Sequence, residues 1–92
     1  MNTYDCILNV NHFYRNDVSL EKTWKTLFEA YAKEYATEHG RKYRMRWISW
    51  FIVDRTIEVR FQTVFSLEEI AHLVAVSRRG STVFLDGAVR LV

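Results

Sequence analysis

Residues alternate from Tyr4 to His12, with Tyr4, Cys6, Leu8, Val10 and His12 on one side and Asp5, Ile7, Asn9 and Asn11 on the other. A period of two predicts a half-buried β-strand, and the polar and aromatic run from Asn11 to Asp17 predicts a connection after it. The period then changes. Leu20, Trp24, Leu27, Phe28, Tyr31 and Tyr35 recur at spacings of three and four, Ser19 stands where an N-cap belongs, and Gly40 follows as a stop. One helix of about 20 residues is expected between those signals, supported by Glu21–Lys25 and Glu29–Lys33 pairs one turn apart.

Alternation returns after Gly40. Tyr43 to Val53 reads as a strand that is apolar on both faces; Thr56 to Phe65 reads as one with Ile57, Val59, Phe61 and Phe65 inward and Glu58, Arg60 and Gln62 outward. The turn between them sets the register. A two-residue Asp54-Arg55 loop places Trp47 and Phe51 on the face of Arg60, whereas a longer loop that takes in Thr56 places Trp50 there, with Arg46 and Arg44 beyond. Asp-Arg lacks the glycine that two-residue turns prefer, so the longer loop is expected. Both alternatives put a tryptophan beside Arg60. Ser66 and Glu69 then fit a capping box before a shorter helix from Leu67 to about Ser77. Ser81 to Leu85 predicts another strand, and Asp86-Gly87 a turn from which Ala88 to Val92 returns as one more.

The order β-α-β-β-α-β predicts an α+β fold, an antiparallel sheet of four to five strands with two helices on one face. Ferredoxin-like topology is expected, because each crossover then has a helix to bury. A looser α+β sheet with another strand order is the competing arrangement. In the ferredoxin-like order Tyr43 to Val53 is an edge, which invites pairing or cover by a partner.

Composition narrows the class. Ninety-two residues without proline, 49% of them hydrophobic, predict a single compact domain over 1–92. One cysteine excludes an internal disulfide, and the N-terminus lacks the basic and apolar regions of a signal peptide. The longest apolar run, Trp47 to Val53, falls far short of the ~20 residues that cross a bilayer, so a cytoplasmic protein is expected. His12, His39 and His72 are scattered, Cys6 lies on the inward side of its strand, and the first turn of a helix accounts for Glu68 and Glu69. No catalytic residue, metal, cofactor or small-molecule substrate is expected.

The charge is uneven. Arg41 to Arg60 holds six basic residues against Asp54 and Glu58, net +4, while the rest of the chain is net −2 within an overall +2. Arg41, Lys42, Arg44 and Arg46 alternate with Tyr43 and Trp47, the mixture of cations and rings that binds single-stranded nucleic acid. Arg78-Arg79-Gly80-Ser81-Thr82 forms a second basic stretch, and Arg15 adds a cation in the first connection. The RNA-recognition motif shares the element order, but Arg60 to Phe65 lacks that motif's glycine-aromatic third strand.

The 92-residue length, the opening MNTYDCIL and the segment YRMRW at Tyr43 to Trp47 resemble a family of small phage-encoded anti-CRISPR proteins, the eighth-named inhibitors of type I-F CRISPR-Cas systems. The resemblance implies a non-enzymatic inhibitor in the cytoplasm of an infected bacterial host. It would bind the guide-RNA surveillance complex, touch its backbone subunits and the guide RNA, and block hybridisation of target DNA. On the basic hairpin Arg41, Lys42, Arg44, Arg46, Trp50 and Arg60 are the expected contact residues, with Arg15, Arg78 and Arg79 in second rank. A monomer is expected. The competing readings are a free-standing RNA- or DNA-binding regulator on the same surface, and a homo-oligomer paired through the apolar edge.

Overall fold

The chain is described from a computed structural model over residues 1–11, 20–79 and 84–92. Alternation at the N-terminus produces β1 (Asn2–Val10), in which Tyr4, Cys6, Leu8 and Val10 are buried. The period of three and four produces α1 (Leu20–Glu38), with Leu20, Trp24, Phe28, Ala32 and Ala36 on its buried stripe. The hairpin strands are β2 (Met45–Val53) and β3 (Thr56–Thr63), followed by α2 (Leu67–Arg79) and β4 (Phe84–Leu91). These six elements form an antiparallel sheet in the order β2-β3-β1-β4 with two helices on one face, the α+β ferredoxin-like arrangement. Two strands are interior and two are edges, β2 being one of the edges. No helix among the described residues is long and apolar enough to cross a membrane.

Aromatic packing joins α1 to the hairpin. The Trp24 ring stacks on Phe28 at 4.8 Å and meets Trp47 edge-on at 5.7 Å, and Trp47 in turn meets Phe61 at 5.4 Å. Offset and edge-on contacts of this kind add about 0.5–1.5 kcal/mol per pair beyond the area buried. On the other half of the sheet α2 lies over β1 and β4, where Gly87 lets Leu8 and Val74 close over the strand. Cys6 is fully buried in this core, and burial pushes its thiol up to about 12, an inert small hydrophobe.

Helix ends follow their sequence signals where the structure describes them. At the end of α1, Arg41 N–H donates to Ala36 O at 2.8 Å and Gly40 N–H to Thr37 O at 3.3 Å, with Gly40 at φ 61°, a Schellman closure. At the start of α2, Ser66 N–H donates to Glu69 Oε1 at 2.9 Å and Glu69 N–H to Ser66 Oγ at 3.2 Å, the reciprocal bonds of a capping box. α2 runs on through Arg78 and Arg79, past the expected end at Ser77. Ser19, Phe13 and Tyr14 lie outside the described residues.

Two expectations are corrected. The hairpin turn has two residues, not three: Val53 pairs with Thr56, and Asp54 takes the left-handed conformation at φ 57°. Aspartate is among the few residues that enter that region at modest cost, so the turn closes without glycine. Asp86-Gly87 is not a turn either. β4 passes straight through it, so the sheet has four strands and no returning fifth. Gly87 is needed for a different reason: a Cβ there would come to 2.9 Å from Leu8 Cδ2 and 3.0 Å from Val74 Cγ1. Asp86 Oδ1 accepts from Asn9 Nδ2 across the strand pair.

Candidate nucleic-acid interface

The helices cover one face of the sheet and leave the other open. In strand order β2-β3-β1-β4, the open face consists of rows: Arg46, Gln62 and Thr3; then Ser49, Arg60, Asp5 and Arg90; then Phe51, Glu58, Ile7 and Ala88. A bulge in β2 fixes this placement. Trp47 pairs with Phe61 and Ser49 with Arg60, so Ile48 is the extra residue, and the side chains on either side of it change phase.

That bulge corrects the expectation that a tryptophan shares the outer face with Arg60. Trp50 pairs with Val59 and Trp47 with Phe61, so both lie on the helix side. Trp47 donates its indole N–H to Glu29 Oε1 at 2.8 Å, and Lys25 Nζ sits 5.2 Å from the Trp47 ring and 5.8 Å from the Trp50 ring. Trp50, expected as a contact residue, is half-buried against Trp24 at 6.3 Å and offers no stacking surface beside Arg60. The exposed ring of the open face belongs instead to Phe51, 60% accessible.

The basic residues divide into two groups. Arg41 is the residue after the Schellman glycine, which carries it to the foot of α2. There it pairs with Glu69, donates from Nη2 to Val64 O at 3.0 Å, and lies 4.8 Å from the Phe65 ring centre. The Arg41 guanidinium, then the Ser66 N–H and the Tyr35 hydroxyl, hold the Glu69 carboxyl at about 2 against the opposing effect of burial. Arg41 thus closes the joint between α1, the hairpin and α2.

Lys42, Arg44 and Arg46 behave differently. They are exposed while Arg41, Tyr43 and Met45 between them are half-buried, so the three cations stand on one side of an extended segment. Alternate residues of such a segment are ~6.7 Å apart. Thr63 Oγ1 donates to Arg44 O at 2.7 Å and pins the approach to β3. None of the three has a side-chain partner among the described residues. Ile48, Phe51 and Ile52, farther along the same edge, are exposed large hydrophobics.

Arg60 is anchored. Its Nε donates to Asp5 Oδ1 at 2.7 Å and its Nη2 to Oδ2 at 3.0 Å, while Arg90 Nη2 reaches the same Oδ2 from the far side at 3.2 Å. Asp5 is 1% exposed although it lies on the face away from α1 and α2, because the two guanidinium groups lie over it. Hydrogen bonds from Arg60 above all, and then from Arg90, hold its carboxyl below the usual range against the cost of burial. Arg90 was not among the expected contact residues, since in the sequence it is a lone cation in the acidic part of the chain. Only pairing with Asp5 brings it beside Arg60.

Of the second-rank residues, Arg78 and Arg79 end α2, Arg79 being exposed, and Arg15 lies outside the described residues, as do Gly80, Ser81 and Thr82. On the helix side a groove of about 220 Å³ between α1 and α2 is lined by Glu34, Glu38, Tyr35 and His72. His39 Nδ1 lies 2.9 Å from Tyr35 O. Among the described residues no three His, Cys, Asp or Glu side chains are grouped to hold a metal ion. No protein-family model and no curated protein matches the chain, so its functional reading rests on this geometry and chemistry.

Proposed function

We propose that the protein is a stoichiometric anti-CRISPR inhibitor that docks through the β2 edge onto a type I-F guide-RNA surveillance complex and blocks hybridisation of target DNA. One observation carries the reading: Lys42, Arg44 and Arg46 are exposed, with no side-chain partner among the described residues, on an edge that also exposes Ile48, Phe51 and Ile52. Such exposed cations are available to guide-RNA phosphates, and the apolar residues beside them suit a protein subunit. Neither half alone accounts for the edge. A long, partly apolar edge strand is a liability that a monomer ordinarily blunts, and Arg44 and Arg46 guard it against pairing with its own copy while leaving it open to an anionic partner.

The resemblance of MNTYDCIL and YRMRW to type I-F inhibitors supports the same partner. Charge favours one mode of inhibition. A chain of net +2 whose hairpin is net +4 makes a poor mimic of DNA and a good ligand for RNA phosphates. A second reading, a free-standing RNA- or DNA-binding regulator, draws on the same three cations, which would serve any single strand.

The test is capture of an assembled type I-F complex by the purified protein, followed by a target-DNA gel shift. Stable capture with loss of target binding is expected. The Arg44→Glu/Arg46→Glu double variant is expected to keep its melting temperature, because neither side chain is buried or paired, and to lose capture by tenfold or more. Capture unchanged in the double variant would remove the edge from the interface. No capture by the parent protein would remove the inhibitor reading.

A further inference from the structure

We infer that the open sheet face is a track for the sugar-phosphate backbone of single-stranded RNA, running across the strands from Lys42, Arg44 and Arg46 at the β2 edge to the Arg60–Arg90 pair held by Asp5. The inference rests on the nucleic-acid half of the proposed function and extends it to a surface and a residue, Arg90, outside the basic hairpin.

The face is polarised along its strands. Toward one end stand Arg46, Arg60 and Arg90 against the carboxylate of Asp5, net +2, with the exposed Lys42 and Arg44 on the approach to β2; toward the other stand Glu58 and Asp86, with Asp54 and Arg55 in the turn, net −2. A polyanion is therefore drawn to one half of the face only. Because adjacent strands are ~4.8 Å apart, the path across four strands is ~14 Å, and the approach to β2 lengthens it by two further cations.

Asp5 makes the far end of this path a built feature. An isolated exposed arginine has a mobile head, but here one buried carboxylate fixes two heads side by side. It takes Nε and Nη2 of Arg60 and Nη2 of Arg90, and neither arginine makes another side-chain hydrogen bond among the described residues. The remaining N–H groups point away from the carboxylate and carry a net single positive charge between them, a fork suited to a phosphodiester oxygen. In the next row Phe51 and Ile7 stand on either side of Glu58, and the exposed Phe51 offers a ring on which a base displaced from the backbone can stack. A protein partner is the other occupant such a face could take. The separation of charge into a basic band and an acidic band favours the extended polyanion.

The experiment is fluorescence anisotropy of a labelled oligouridylate titrated with the full chain at several salt concentrations. Arg90→Ala, Arg46→Ala and Arg55→Ala are compared with the parent, and circular dichroism reports the fold of each. Arg55 lies in the hairpin turn, at the acidic end, so its variant removes the same charge off the track. Loss of one single-strand phosphate contact lowers the salt slope by about 0.7, which at ~50 mM salt is about an eightfold loss of affinity. Arg90→Ala and Arg46→Ala are each expected to show that loss, and Arg55→Ala to bind as the parent does. Arg90→Lys is expected to restore most of the slope, and Arg90→Gln gives the same reading as the alanine variant should the latter fail to fold.

Equal affinities for Arg90→Ala and Arg55→Ala would overturn the track. So would a parent protein that captures the surveillance complex yet binds no oligouridylate at low salt, an outcome that leaves the inhibitor reading standing. If Arg90→Ala impairs capture of the complex while oligouridylate binding is unchanged, the face is a protein contact and the track is overturned. Oligouridylate binding with the expected Arg90 dependence, but no capture, sustains the track and shifts the function to the free-standing regulator.

Discussion

Replacing Asp5 by asparagine tests the anchor on which the open face depends. The side chain keeps its size but loses its charge, and its amide N–H₂ now faces guanidinium donors. Three charge-assisted hydrogen bonds are affected, at 2.7, 3.0 and 3.2 Å, joining β3, β1 and β4. Removing one partner of a buried ion pair costs about 3–5 kcal/mol when a charge is left stranded. That is an upper bound here, since Arg60 and Arg90 are 42% and 67% exposed and return to water when released. A loss of about 2 kcal/mol is expected, which in a domain of this size lowers the melting temperature by roughly 10 °C.

The same bonds fix the pH dependence. The folded-state pKa of Asp5 lies below its ordinary 3.8, so its contribution is present above pH 3.8 and is lost as pH falls through the folded value. Glu69, lowered from 4.5 to about 2, loses its contribution over that interval in parent and variant alike. Melting curves followed by circular dichroism between pH 7 and pH 2 should therefore show a gap between parent and Asp5→Asn that is full at neutral pH and closes in strong acid. A gap of under about 2 °C at pH 7, or one that persists undiminished at pH 2, would refute the anchoring role.

Two further predictions concern the corrected elements. Gly87→Ala should lower stability by about 1 kcal/mol, the overpacking against Leu8 and Val74 outweighing the gain from a less flexible unfolded chain, and urea unfolding will check it. Asp54→Gly should leave the urea midpoint unchanged or raise it, whereas Asp54→Val should lower stability by about 1–2 kcal/mol, because a β-branched residue does not tolerate φ 57°; equal midpoints for the two would contradict the turn.

Much of the fold was legible in the sequence because local signals and tertiary demands agree in most elements. β1 and β3 alternate cleanly since each has one face against helices and one open, and the capping box of α2 and the glycine stop of α1 are local in the chain. Where reading failed, a local rule met a non-local constraint. Asp86-Gly87 carries a strong turn signal, but the glycine answers to α2, whose Val74 approaches within the space a Cβ would fill. Nothing near Gly87 in the sequence announces that approach. The extra residue at Ile48 is equally silent, because β2 is apolar at nearly every position and offers no alternation from which to count. Its bulge decides which side each tryptophan takes.

The site was legible as charge and illegible as pairing. Arg41 and Arg60 look no different in sequence from Arg44 and Arg46, and all four belong to the segment of net +4. What separates them is a carboxylate 28 residues away for Arg41 and one 55 residues away for Arg60. The strand register and the turn into α2 bring those carboxylates in, so Arg41 is withdrawn into structure and Arg60 is fixed in place. The same register moves Arg90 from the acidic part of the chain to the basic half of the open face, across Asp5 from Arg60. A count along the chain therefore assigns the positive charge to the hairpin, while a count along the rows assigns it to one half of the sheet. A phosphate backbone responds to the rows, since the charges it meets are those adjacent in space, and the two counts part company at Arg41 and Arg90.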